Sequence, residues 1–302
     1  MTNPTAIPLN TTYVLTQVEQ LQQTDPIGLV SIDDLVRHHF AFHPYVYSRS
    51  HDLDADQQAE LAKECGDMPA AEYYVSELAN ILIKAAQQQA NKEQVLRVAL
   101  SGVESSSRRQ QQGNQLEPQE VNPAMGLRGV SRFANTYHRP SFELDCEAIK
   151  RARMGEKLHN IELVIPFVRT FSEAATVIDI LAEQGLCRGA QGLKVHLFVE
   201  LPANALLAEK FLQYFDGLVV DIDVLAQFTL ALDPEHQDLT YLYDEQNEAV
   251  LTLLRHSLKA AEKAGKPCEV VSRHLDDSPK LVHWLHEQGV SQVIKASYLK
   301  AD

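Results

Sequence analysis

Cysteine is scarce: the 302 residues hold four, Cys65, Cys146, Cys187 and Cys268, with no CxxC pair among them. That spacing argues against a disulfide-stapled scaffold and a thiolate metal cluster, and it predicts reduced thiols in a cytoplasmic protein. Long apolar runs are missing too. None reaches the roughly 18 residues a bilayer-spanning helix needs, so no membrane partner is expected. The opening residues lack the basic start and apolar stretch of a secretory leader. Positive charge is in deficit, with 27 Lys and Arg against 41 Asp and Glu and a net charge of −14. Such a field disfavours nucleic acid and anionic membrane surfaces as partners. It leaves a small anionic ligand open, because local arginines outweigh the global field at short range.

Apolar residues make up 45% of the chain, enough to build a full core. Short β-type runs fall at 13–16, 27–32, 94–100, 161–168, 193–199, 218–222, 268–272 and 292–294. Helical spacing marks 72–89, 172–184, 206–214, 247–264 and 280–288. Strand and helix in alternation predict a parallel sheet with covering helices. Eight strands over 11–302 fit a single (β/α)8 barrel domain, with a doubly wound open sheet as the alternative. Residues 1–10 read as a loose arm and 105–119, rich in Ser, Gln and Arg, as a mobile loop. No internal repeat and no linker is apparent.

Several phrases are more specific: NPAMGLRG at 122–129, LFVELPAN at 197–204 and FDGLVVDIDVLAQ at 215–227. FAFHPYVY at 40–47, CEAIKRAR at 146–153 and PFVRT at 166–170 accompany them in order. Together they resemble the barrel of the phosphoenolpyruvate synthase and pyruvate phosphate dikinase family, the synthase branch more than the dikinase branch. That family's nucleotide-binding and phosphohistidine carrier domains have no counterpart in these residues. The resemblance implies a barrel that binds phosphoenolpyruvate or pyruvate with Mg²⁺. Three arginines would hold phosphate and carboxylate, a Glu and an Asp the metal, and a Cys would protonate the enolate. Phosphoryl transfer needs positive charge around the moving group. An enolate needs a Lewis acid on oxygen and a proton donor on carbon.

Carried over residue by residue, the resemblance assigns Arg97 and Arg128 to two arginine positions and Glu200 to a metal position. The remaining positions depart from the pattern. Ser31-Ile32-Asp33 stands where the family has Arg-Leu-Glu, and Ala99-Leu100 where it has Ser-Asp. Asp221-Ile222-Asp223-Val224-Leu225 replaces Gly-(Ser/Thr)-Asn-Asp-Leu, so a metal-binding Asp has become Val224. Glu269-Val270-Val271-Ser272-Arg273 replaces Gly-Ile-Cys-Gly-Gln, so the proton-donating Cys has become Val271. Cys268 lies three residues earlier, an odd spacing that sends it to the other face of a strand.

Val271 has no proton to give and Val224 cannot ligate a metal, so loss of the family reaction is expected. Glu200 is either a remnant metal ligand or the partner of Arg97 or Arg128. Asp221 and Asp223, two apart on a strand, face one way and with Glu200 offer oxygen ligands to Mg²⁺. Otherwise they are acids at a solvated strand end, or Asp221 blocks the pocket. Ser272, Arg273 and His274 bring new polar groups, and Arg273 could restore the charge missing at Ser31. Arg169 is expected to pair with a carboxylate. His38, His39 and His43 read as solvated helix-end residues, and Arg108, Arg109 and 110–112 as solvated loop. The leading reading is a barrel without the family's phosphotransfer that binds a small carboxylate or phosphate, regulates, or binds a partner protein. The alternatives are an Mg-dependent enzyme with altered chemistry on a similar carboxylate, and a structural subunit with a plugged pocket. A homodimer is expected by analogy.

Overall fold

Near-continuous apolar runs form the strands: β1 (Asn10–Leu15), β2 (Ile27–Ser31), β3 (Leu96–Ala99), β4 (Ile161–Ile165), β5 (Val195–Val199), β6 (Leu218–Asp221), β7 (Cys268–Ser272) and β8 (Gln292–Lys295). β4 and β5 are buried at every position, as strands covered on both faces must be. The strands are ordered β1 to β8 in one closed barrel. This is the (β/α)8 architecture read from the sequence, and closure leaves no open sheet edge. The computed structural model describes residues 9–23, 25–90, 94–234 and 236–296. Residues 1–8, most of the expected loose arm, lie outside them. No helix among the described residues is long and apolar enough to cross a membrane.

The chain gathers into two compact units: Leu15–Val195, and Met1–Val14 with His196–Asp302. The first holds α1 (Ile32–His39), α2 (Pro44–Ser48), α3 (Ala55–Cys65), α4 (Ala70–Ala90), α5 (Val130–Ala134), α6 (Arg139–Gly155) and α7 (Phe171–Glu183). The second holds α8 (Pro202–Leu206), α9 (Ala208–Phe211), α10 (Ile222–Leu230), α11 (Glu248–Ala264) and α12 (Pro279–Glu287).

Three differences from the sequence reading matter for the site. First, two strands stop early. Ser31 ends β2 because its hydroxyl accepts from Asp34 N at 3.2 Å and starts α1. Asp221 ends β6 in the same way, its carboxylate accepting from Val224 N at 3.0 Å to start α10. Asp223 is therefore a helix residue, and the strand alternation that placed it beside Asp221 does not apply. Second, a local repeat exists. Leu29-Val30-Ser31-Ile32-Asp33 and Val219-Val220-Asp221-Ile222-Asp223 make the same strand-to-helix turn, one in each unit. Third, the stretch 105–119 is not simply solvated. Arg108, Gln111 and Glu117 are only 4%, 9% and 7% exposed, because each polar head meets partners in the interior.

α4 and α6 pack on one another through a polar contact, Tyr74 Oη donating to Asp145 at 2.6 Å. Burial pushes the Asp145 carboxyl up to about 7, from an ordinary 3.8. A carboxyl whose pKa is raised by folding stabilises below its unfolded pKa and loses that contribution as pH rises through the folded value. Asp145→Asn keeps an acceptor for Tyr74 and removes the titration. Its stability relative to wild type, from urea melts, should rise between about pH 4 and 7 by about 1.4 kcal/mol per unit of pKa shift, then level off.

Candidate functional site

In the first unit the strand ends of β2 and β3 are joined by one carboxylate. Asp33, in the first turn of α1, accepts from Ser101 Oγ at 2.6 Å, Gly102 N at 2.7 Å and Val103 N at 3.1 Å. The buried Arg108 guanidinium also donates to it. Gly102 is required here for space, since a Cβ on it would lie 2.6 Å from Cβ of Pro166. The two arginines matched by resemblance belong to this unit. Arg128 donates through Nε to Gly102 O at 2.8 Å and through Nη1 to Ala124 O at 3.3 Å. Its guanidinium lies 3.7 Å from the centre of the Phe167 ring, a cation–π contact. The next residue, Gly129, has φ +53° and passes so close to Pro166 O that a Cβ would sit 2.3 Å away. Arg97 lies opposite Glu162 in the β3–β4 register, with Nη2 3.7 Å from Oε2. Arg169 lies 3.8 Å from Glu173 and donates to Gly126 O at 2.6 Å and Arg128 O at 3.2 Å.

A second buried cluster anchors the loop that carries Arg128. His43, fully buried, faces Glu117 at 2.9 Å through Nε2, and Arg132 meets the other Glu117 oxygen at 2.7 Å. Burial lowers the His43 pKa, so the ring is neutral at pH 7. Tyr45 N lies 3.3 Å from Nδ1, which makes Nδ1 the acceptor and Nε2–H the donor to Glu117. Burial opposes the Glu117 charge, but His43 and Arg132 outweigh it and hold the carboxyl below its ordinary range. His43 is thus an interior group and not a solvated helix-end histidine.

In the second unit Asp223 plays the part of Asp33. It accepts from Ser272 Oγ at 3.0 Å, Arg273 N at 2.8 Å, Arg273 Nε at 3.4 Å and Tyr243 Oη at 3.3 Å. Ser272 Oγ in turn accepts from His274 N at 3.0 Å. Arg273, 39% exposed at its side chain, turns back to its own unit's acid. Burial, reinforced by the neighbouring Asp223 charge, raises the Asp221 pKa to about 7. Val271 pairs with Asp221 in the β6–β7 register and Cys268 with Leu218, opposite phases of one strand. Burial pushes the Cys268 thiol up to about 12. Glu200 is buried directly after β5. Among the described residues no three His, Cys, Asp or Glu side chains gather to hold a metal ion.

Asp33, Arg108, Glu117 and Tyr243 escaped the sequence reading. Arg108 and Asp33 are 75 residues apart, and nothing local in the Ser-Gln-Arg stretch announces the pairing. The signal that existed was the Ile-Asp pair that directly follows each cap.

The family described as PEP-utilising enzyme, PEP-binding domain, matches residues 54–298. Among relatives, a phosphoenolpyruvate synthase of Pseudomonas aeruginosa (strain UCBPP-PA14) is 37% identical over 269 residues, 88% of this chain and 34% of its own length. One from Escherichia coli (strain K12) is 35% identical over the same shares. One from Aquifex aeolicus (strain VF5) is 37% identical over 177 residues, 59% of this chain and 21% of its own. The chain thus spans about a third of the length of the first two.

Removing the Asp223 carboxylate strands a buried hydroxyl, an amide and a guanidinium. Asp223→Ala should lower unfolding free energy by about 2–4 kcal/mol in urea melts at neutral pH, and Asp223→Asn, which keeps one acceptor oxygen, by less. Equal, negligible losses in both would remove Asp223 from its structural role.

Proposed function

The chain belongs to the PEP-utilising enzyme, PEP-binding domain family, and on that premise we propose that it is a phosphoenolpyruvate synthase-like barrel without the family's phosphotransfer, serving as a small-anion-binding, regulatory or partner-binding protein. The observation that carries this reading is the engagement of Asp223. Its two oxygens already answer four donors, which would have to be given up before a cation could bind. Asp221 is likewise occupied as the cap of α10. The donors do not fit a magnesium ion as they stand, so no step is routed through one. Val224 adds no ligand and Val271 no proton, so the enolate chemistry of the resemblance has neither its Lewis acid nor its acid.

Retention of Arg97 and Arg128 favours an anion as the ligand. Both are buried, and a buried guanidinium is a strong, planar donor for carboxylate or phosphate.

Thermal melts with phosphoenolpyruvate, pyruvate and oxalate, each with and without Mg²⁺, test the reading. At about 100-fold excess over Kd a ligand adds roughly 2.7 kcal/mol. The expected result is a shift that does not need Mg²⁺. A shift that appears only with Mg²⁺ would favour the enzyme with altered chemistry on Glu200, Asp221 and Asp223, and no shift with any ligand the plugged structural subunit. Val271→Cys combined with Val224→Asp should still not catalyse exchange of the methyl protons of pyruvate with D2O in the presence of Mg²⁺, an enolisation that needs neither the nucleotide nor the carrier domain, because Ser31 supplies no guanidinium and Asp221 is occupied as the cap of α10. Recovered turnover would show that only those two residues had been lost.

A further inference from the structure

The donors around Asp33 form a recognisable object once the carboxylate is set aside. Two successive amides, Gly102 N and Val103 N, point to one place, 2.7 and 3.1 Å from Oδ2. Ser101 Oγ and the Arg108 guanidinium point to Oδ1 beside it. Consecutive amides converging with a hydroxyl and a guanidinium are the donor set of an anion-binding concavity. Arg108 Nη2 also lies 3.3 Å from Ser101 Oγ, so hydroxyl and guanidinium reach the same oxygen side by side. The ligand arrives from elsewhere in the sequence, 68 to 75 residues away, on the first turn of α1.

We propose that the segment from Ser101 to Arg108 is an oxyanion-binding nest and that Asp33 is its built-in ligand. The chemical class it takes is a small oxyanion, carboxylate or phosphate. In the wild-type chain Asp33 excludes such ions from the nest by filling it. This goes beyond the reading of the barrel's activity and does not depend on it: the donors, their distances and the occupant all lie within one unit.

The test is chemical rescue. Asp33→Ala empties the nest and leaves the guanidinium without its partner, so its melting temperature should fall. Formate and inorganic phosphate should each restore about half or more of the loss at saturation, where chloride at matched ionic strength does not. Asp33→Asn, whose amide still occupies the space, should gain no more from formate than wild type does. Rescue by formate alone would narrow the class to carboxylates. Equal effects of formate, phosphate and chloride on Asp33→Ala would overturn the proposal, as would equal rescue of Asp33→Asn. Should Asp33→Ala not fold in plain buffer, refolding from urea with formate, phosphate or chloride reads the same property. Recovery with an oxyanion but not with chloride supports the nest, and no recovery in any of them overturns it.

Discussion

A carboxylate taken out of water must be answered by donors or give up its charge, and two aspartates organise this chain around that requirement. Asp33 and Asp223 each sit in the first turn of a helix that follows a strand. Each accepts from a serine hydroxyl and the amide next to it at the end of the following strand: Ser101 and Gly102 in one unit, Ser272 and Arg273 in the other. Each has an arginine, Arg108 or Arg273, at its edge. The carboxylate joins neighbouring strand ends where no ladder hydrogen bond reaches, and the loops beyond take their positions from it.

Much else follows from these two anchors. Because Gly102 N is held by Asp33, Gly102 O is placed to receive Arg128 Nε, and Arg128 is laid on the Phe167 ring. The far part of the same loop is fixed by Glu117 against His43 and Arg132. In the other unit Ser272, tied to Asp223, receives His274 N and sets the turn after β7. Both carboxylates and the loop amides beside them are thus committed to interior contacts. The pairs are favourable only as complete sets, since a buried ion whose partner is removed costs far more than the pair contributes.

The fold was legible because parallel barrel strands advertise themselves as short apolar runs, and all eight were found within a few residues. Arg97, Arg128 and Glu200 were singled out through the phrases around them, and all three are buried. What the sequence hid was of two kinds. The caps at Ser31 and Asp221 turn strand into helix in a single residue, so a reading by strand alternation put Asp223 on the wrong element. The partners of Asp33 and the Glu117 partner of His43 lie 68 to 75 residues away, and no periodicity connects them. A polar stretch rich in Ser, Gln and Arg looks solvated until the interior acceptors it serves are in view.

The central claim, that these two carboxylates are structural acceptors already spent inside the fold, is tested most directly by native-state hydrogen exchange at the amides of Gly102, Val103 and Arg273, with and without Mg²⁺. Amides bound to buried carboxylates exchange only when the fold opens, so the account predicts slow exchange at all three, unchanged by the metal. Fast exchange in the native state, or slow exchange at Arg273 that Mg²⁺ accelerates, would contradict it.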